Sequence, residues 1–404
     1  MKKILTMVLV LMVSTSFLAT ATIRRVGFTG SSTAVDGLDY TTFQAAHDAS
    51  INGDTIQLYP STQSSGSTFS GGINKRLYIV GPGYFVNGYN MPGSGIINNA
   101  LQALPGAISS ANFTLGIGSA GTIFAGINGL GLTTSNILDS LNNVAVYRCR
   151  SVSVNYNNSG VCNNWIISQC TGVSISQSGY DIAFNGNRSI TNLRIENSLG
   201  VGISYSATNP STGQPTPQSP VGVNSGQILN CVWASGTTGV ESYNSSLSMN
   251  NSVFLIQNCI SLGSTFTNGS GWLTGASNCV FVNNITSSAG GTSPVASNPG
   301  SSGNVFNVSA SSNVIFVGVP NNVSNGQTLN SPDAAFQLTS TSLARNAGIN
   351  PNTGAQTDCG IYGGTNPYKA SGIPNIPAFY RLNAASTTAS GSTYTITYSV
   401  RSNN

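Results

Sequence analysis

Few residues in this chain could do chemistry: ten carboxylates, fourteen lysines and arginines, and one histidine, His47. Hydrolysis of a glycosidic bond takes two carboxylates flanking it. Elimination takes a basic residue beside an acidic, calcium-binding cluster. The acids are Asp36, Asp39, Asp48, Asp54, Asp139, Asp181, Glu196, Glu241, Asp333 and Asp358, and they are scattered. Only Asp139, Asp181, Glu196 and Glu241 fall in the repeating middle of the chain. Asp181 and Glu196 come within reach of one another if they occupy neighbouring coils, which makes them the candidate catalytic pair. The plainer reading gives each a solvated face, where isolated acids usually sit.

Arg148 and Arg150 are two apart, so on one strand they share a face, and Arg188 and Arg194 follow within two repeats. These four are the candidate ligand-binding residues. Arginine forks suit carboxylates, so one reading is a basic groove for an acidic polysaccharide. The other is a few solubilising charges. Tyr147, Tyr156, Trp165, Tyr180, Trp233, Tyr243 and Trp272 stack on sugars if they face outward and fill core or corners otherwise. A single histidine excludes multi-histidine zinc sites and leaves none for a triad elsewhere. His47 itself reads as a surface or helix-packing residue.

The elements that must position these side chains show in a phrase that recurs between Val144 and Ile285. It reads Val146-Tyr147-Arg148-Cys149, Ile167-Ser168-Gln169-Cys170, Ile195-Glu196-Asn197-Ser198, Ile228-Leu229-Asn230-Cys231, Ile256-Gln257-Asn258-Cys259 and Phe281-Val282-Asn283-Asn284. Its third members, at 148, 169, 197, 230, 258 and 283, are spaced by 21, 28, 33, 28 and 25 residues. An imperfect period in this range predicts a solenoid. Parallel strands stacked about 4.8 Å apart put equivalent side chains over one another. Isoleucine over isoleucine buries an apolar row, and asparagine over asparagine passes an amide hydrogen bond between rungs. Uneven spacing then falls in protruding loops. Four of the seven cysteines, Cys149, Cys170, Cys231 and Cys259, share one place in the phrase. Ser198 and Asn284 occupy that place in other rungs and there is no CxxC pair, so free, buried thiols are expected, with no metal and no cofactor.

Lys2-Lys3, the apolar run Ile4 to Val13 and the small residues Ala19-Thr20-Ala21 follow the plan of a secretory signal peptide, with cleavage expected after Ala21. No later segment has the roughly 18 apolar residues of a membrane helix. An exported protein without a span of its own, secreted or held on a cell surface, is therefore expected. Charged residues are only 6% of the sequence against 39% hydrophobic, with 47 glycines, which fits a core with uncharged turns. The formal charge of +4 loses Lys2 and Lys3 on processing, and so weak a balance predicts no nucleic-acid partner and no electrostatic membrane docking.

After a first strand at Ile23 to Phe28, Phe43, Ala46 and Ala49 recur at a helical interval, and Asn52-Gly53-Asp54 turns into an alternating strand. A short helix here would cover the open end of a stack. The run Phe43-Gln-Ala-Ala-His-Asp-Ala-Ser-Ile-Asn-Gly-Asp-Thr-Ile resembles the N-terminal cap of right-handed parallel β-helices of the pectate-lyase-like superfamily. Phe336-Gln-Leu-Thr-Ser-Thr-Ser-Leu-Ala-Arg-Asn-Ala-Gly348 is similar to the phrase that closes many of them, with Leu343 in place of the usual proline. Thr357 to Gly364 and Ser371 to Tyr380 look like the tails of secreted Bacteroidota proteins of this type. That superfamily holds lyases, hydrolases and adhesins, so the resemblance speaks for fold more than activity. The Asn-Thr-Asp, paired-Asp and Gly-His-Gly phrases of polygalacturonases are absent.

The resulting expectation is an all-β chain, a right-handed parallel β-helix solenoid with a cap helix and a closing β segment. Residues 1–21 form the signal, 22–58 the first strand and cap, 59–330 the coils, and 331–404 the closing segment. Long loops are expected at 208–220 and 287–303, and rungs at Leu77–Val80, Thr122–Ala125, Val305–Val308 and Val314–Val317. A terminal strand at Thr393–Val400 should pair with, or lean on, the last coils. The expected role is a non-catalytic surface or adhesion protein whose partner is an extracellular polysaccharide or cell-surface glycan. The alternative is a polysaccharide lyase or glycoside hydrolase working beside Arg148, Asp181, Arg194 and Glu196.

Overall fold

The structure of the protein, a computed structural model, describes residues 21–27, 37–59, 67–84, 108–135, 141–156, 161–177, 189–205, 224–234, 243, 245–249, 252–262, 266, 273–288, 294–309, 315–317, 332–369, 378–384 and 396–401. Strands of two to eight residues, rich in β-branched side chains, stack in parallel into two eleven-stranded sheets. The first sheet runs Asp39–Tyr40, Ile23–Val26, Thr55–Leu58, Tyr78–Val80, Ile123–Ala125, Ala145–Tyr147, Ile166–Ser168, Leu193–Glu196, Asn224–Leu229, Ser252–Gln257 and Val280–Val282. The second climbs alongside it, from Ser67–Ile73 to Ile285–Thr286. Successive rungs alternate between the sheets, the topology of a parallel β-helix.

Registration does what the recurring phrase predicts. Ile56, Ile79, Phe124, Val146, Ile167, Ile195, Ile228, Ile256 and Phe281 are partners in turn along the first sheet, and all are fully buried. Leu132, Val154, Ile175, Ile203, Leu247 and Leu273 form the facing column in the second sheet. Each such side chain contributes about 1.5–3 kcal/mol on burial.

Between the sheets the chain turns a corner in one residue. Gly126, Arg148, Gln169, Asn197, Asn230, Asn258 and Asn283 all have positive φ, between 48° and 66°. Asparagine tolerates this conformation better than other side chains, which explains its frequency at the third place of the phrase. The corner swings the next N–H inward, away from any carbonyl, and the following rung supplies a side-chain acceptor. Ile127 N–H donates to Cys149 Sγ (3.4 Å), Cys149 N–H to Cys170 Sγ (3.4 Å) and Cys170 N–H to Ser198 Oγ (3.1 Å). Further along, Cys231 N–H donates to Cys259 Sγ (3.3 Å) and Cys259 N–H to Asn284 Oδ1 (2.9 Å). The four cysteines therefore stand in one column, as free and buried thiols. Cysteine, serine and asparagine interchange there because each offers a short acceptor.

The amide ladder expected at the third place of the phrase is not formed there. Amides meet at an earlier corner, where Asn164 Nδ2 donates to Asn143 Oδ1 (3.3 Å) and Asn192 Nδ2 to Asn163 Oδ1 (2.8 Å).

The cap helix, α1 (Phe43–Ala49), starts at Thr42, whose hydroxyl accepts from Ala45 N–H. It buries Phe43, Ala46 and His47, with the Phe43 ring 4.4 Å from that of Phe113, while Ala49 stays exposed. Lys75 Nζ donates to the carbonyls of His47, Asp48 and Ser50 at its C-terminal end, where a cation is favoured. His47 packs rather than reacts: its Nε2 accepts from Asn74 N–H.

Several expectations fail in the second half. Val305 makes a single bridge to Ile285, and Phe316 bridges antiparallel to Leu338, so neither segment is a regular rung. The 287–303 stretch is not simply a projecting loop, since it holds a short helix, α2 (Pro294–Ser297), buries Val295, and returns to the ladder at Ser302. The strand Ile396–Arg401 pairs antiparallel with Ala378–Ala384 rather than with the coils. The signal segment 1–20 and the 208–220 loop lie outside the described residues. Among the described residues no helix is long and apolar enough to cross a membrane.

Candidate functional site

The corner column positions the site. Its side chains point away from the core toward residues 349–367, which begin in a small hairpin, Gly348–Ile349 against Gln356–Thr357, and then turn back across the rungs toward the N-terminal end. Asn258 Nδ2 donates to Ile349 O (2.8 Å) and its Oδ1 accepts from Ile349 N–H (3.1 Å). One rung earlier, Asn230 Nδ2 reaches the carbonyls of Asp358 (3.1 Å) and Gly360 (3.3 Å). Asn197 Nδ2 reaches those of Ile361 (2.8 Å) and Gly363 (2.7 Å), and Gln169 Nε2 those of Asn366 (3.2 Å) and Pro367 (3.0 Å).

Behind this row of amides a second core forms, in which Leu199, Val232, Ile260 and Ile285 of the second sheet meet Phe336, Cys359 and Ile361. Gly360 has to be glycine: its φ is +84°, and a Cβ would stand 2.8 Å from Ile260 Cδ1. The far end is fixed by Tyr368, buried with its hydroxyl on Tyr84 Oη (2.5 Å) and Asp333 Oδ2 (2.9 Å). Burial and the negative charge of Asp333 push both tyrosine hydroxyls well above their ordinary range.

Between this segment and the outer face of the first sheet lies a cleft of about 520 Å³. Three successive rungs supply Tyr147 and Arg148, Ile166, Ser168 and Gln169, then Arg194 and Glu196, and the segment supplies Asn352, Thr365 and Asn366. Ser168 and Glu196 are partners across neighbouring strands, which alternation places on the same outward row as Tyr147. Both oxygens of Glu196 are engaged. Arg194 Nε donates to Oε2 at 2.7 Å, while Ser168 Oγ (3.2 Å) and Asn366 Nδ2 (3.3 Å) donate to Oε1. Arg148 Nε donates to Gln169 Oε1 (2.7 Å). Burial lowers the Arg148 guanidinium from its ordinary value, and burial together with the charge of Glu196 raises the Tyr147 phenol. A second hollow of about 580 Å³ continues along the same face past Arg194, over Gln227, Val253, Leu255 and Val280.

Of the residues singled out from sequence, Arg148, Arg194 and Glu196 come together in this cleft. Arg148 and Arg150 do not share a face. The corner at Arg148 (φ 52°) separates them, and Arg150 Nη1 turns to Asn128 on the far side. Asp181 and Arg188 lie outside the described residues. Tyr147 lines the cleft, whereas Tyr156, Trp165, Trp233 and Tyr243 are buried, and Tyr180 and Trp272 lie outside the described residues. Among the described residues no cluster of three metal-ligating side chains occurs. Ser168, Gln169, Asn352, Thr365 and Asn366 were missed. Gln169 alone carried a signal, as the polar third member of a repeated phrase.

No family model matches this sequence, and no curated protein does. Among solved structures, pectate lyase Pel9A is similar at 16% identity, with a TM-score of 0.34, over 86% of this chain and 97% of that one. So loose a likeness carries no argument about activity, and the architecture rests on the strand register described above.

Proposed function

We propose that the protein is an exported, non-catalytic β-helix that binds glycans in the cleft between the first sheet and the 349–367 segment. The lining of the cleft supports this most directly: amide, hydroxyl, guanidinium and phenol groups from three rungs and the segment, held in place by one another, around a volume that suits a few sugar rings. Preformed donors and acceptors of this kind match a ligand made of hydroxyls, and Tyr147 offers a ring edge or face beside them. The basic, apolar and small-residue plan of residues 2–21 supports export.

The chemistry of Glu196 favours binding over cleavage. Hydrolysis takes two carboxylates, and among the described lining residues Glu196 is the sole acid, with both oxygens committed.

Affinity electrophoresis through gels containing a panel of glycans, run beside reducing-end and unsaturated-product assays, tests this. At least one glycan should retard the protein, Tyr147→Ala and Gln169→Ala should reduce the retardation, and product formation should stay flat. Product release that Glu196→Ala or Asp181→Ala abolishes would establish the enzymatic alternative instead. Passage unretarded through every gel would remove the carbohydrate reading.

A further inference from the structure

We infer that the cleft selects neutral glycans over polyuronates, and that Oε1 of Glu196 is the atom a sugar hydroxyl addresses. This rests on the carbohydrate reading above and adds the class of sugar.

The lining carries two cations and one acid, and the pair at the mouth, Arg194 and Glu196, offset each other. Arg194, with 30% of its side chain exposed, lies against Glu196, at 8%, with Nε and Oε2 2.7 Å apart. The other cation, Arg148, is only 6% exposed and turns its Nε to Gln169. A polyuronate carboxylate approaching Arg194 therefore meets the Glu196 carboxylate beside it, and in a half-enclosed site that repulsion is only partly screened.

The two oxygens of Glu196 differ. Oε2 is locked by a short, charge-assisted bond, while Oε1 accepts two longer bonds from neutral donors, Ser168 at 3.2 Å and Asn366 at 3.3 Å. A ligand hydroxyl that donates to Oε1 replaces the weaker of these and leaves the Asn366 amide to face the ligand in its turn. The segment need not move for this exchange. Its main chain is held independently, by Gln169 on the carbonyls of Asn366 and Pro367 and by the buried Tyr368. An acceptor carboxylate whose weaker neutral donor can be exchanged selects hydroxyls, and it rejects a ligand that brings carboxylates of its own.

The experiment measures retardation of the full chain in gels containing neutral polymers (a β-glucan, a xylan, a galactan and a mannan) and polyuronates (polygalacturonate and alginate). Wild type should bind a neutral polymer at least about tenfold more tightly than either polyuronate. Glu196→Gln should weaken neutral binding by about tenfold, the loss expected for a bond to a charged group, and strengthen polyuronate binding. Arg194→Gln should weaken polyuronate binding further. Opposite signs for the two variants on the polyuronates cannot come from misfolding, and matched thermal melts check the fold.

Polyuronate binding equal to or tighter than neutral binding would overturn the selection while leaving the carbohydrate reading intact. So would a Glu196→Gln variant that changes neither. Absence of binding to all six polymers would remove both.

Discussion

At the scale of the residue, one backbone conformation organises the site. A left-handed corner costs an ordinary side chain about 1–2 kcal/mol, and asparagine less. At Asn197 that same side chain also donates to two carbonyls of the returning segment. Asn197→Gly should keep the corner and lose the two bonds, and Asn197→Ala should lose both. We expect urea unfolding to show Asn197→Gly destabilised by about 1–3 kcal/mol, with Asn197→Ala roughly 1 kcal/mol worse. Equal costs would mean that the grip, not the corner, accounts for the asparagine, and a silent Asn197→Gly would mean the reverse. The preference for asparagine was legible in the repeated phrase; its partners were not. They lie 164 and 166 residues away, and they are main-chain carbonyls, which leave no mark on which side chains the segment carries. Arg148 and Arg150 were misread for a related reason. Alternation assigns faces only while a strand continues, and here it stops between them.

At the scale of the element, Cys149, Cys170, Ser198, Cys259 and Asn284 of the column each answer an N–H that a corner orphans. The column's alignment was legible in the spacing, whereas its purpose needed the geometry of the turn. Cys170→Ser should be nearly silent, since serine accepts as well. Cys170→Ala should cost about 1–3 kcal/mol by leaving the Cys149 N–H unsatisfied and a small cavity behind. Thiol-labelling reagents should find none of the seven cysteines in the native protein and all of them in urea, because every one is buried. Burial also raises two of these thiols, Cys162 to about 11 and Cys359 to about 12. Unfolded thiols ionise near about 8.5, so the unfolded chain loses these protons first. Stability should be fully retained below that pH and should fall as pH rises toward 11–12. A urea midpoint at pH 10.5 no lower than that at pH 7.5 would contradict it.

At the scale of the whole molecule, the stack of rungs could be read from the recurrence of its phrase, and the cap helix from its apolar interval. The path of the C-terminal part could not. Its sequence suggested a plug at the end of the coil, yet residues 349–368 run back along the corner from the rung of Asn258 to that of Tyr84. A chain ended at residue 343 should lose about 3–6 kcal/mol, because the buried Ile361 and Tyr368 go with it and Leu199, Val232, Ile260 and Ile285 keep only part of their cover. It should also lose glycan binding, since Asn352, Thr365 and Asn366 go with it. Winding and fastening therefore have different clocks. Each coil needs only the one before it, so winding can follow the chain as it emerges. The fastening joins residues 91 to 284 apart and must wait for the final stretch to arrive. Pulse-labelling hydrogen exchange during refolding should protect the amides of Ile167, Ile195 and Ile228 first and those of Gly360 and Tyr368 last. A nascent chain would carry this corner bare until residues 349–368 have been made.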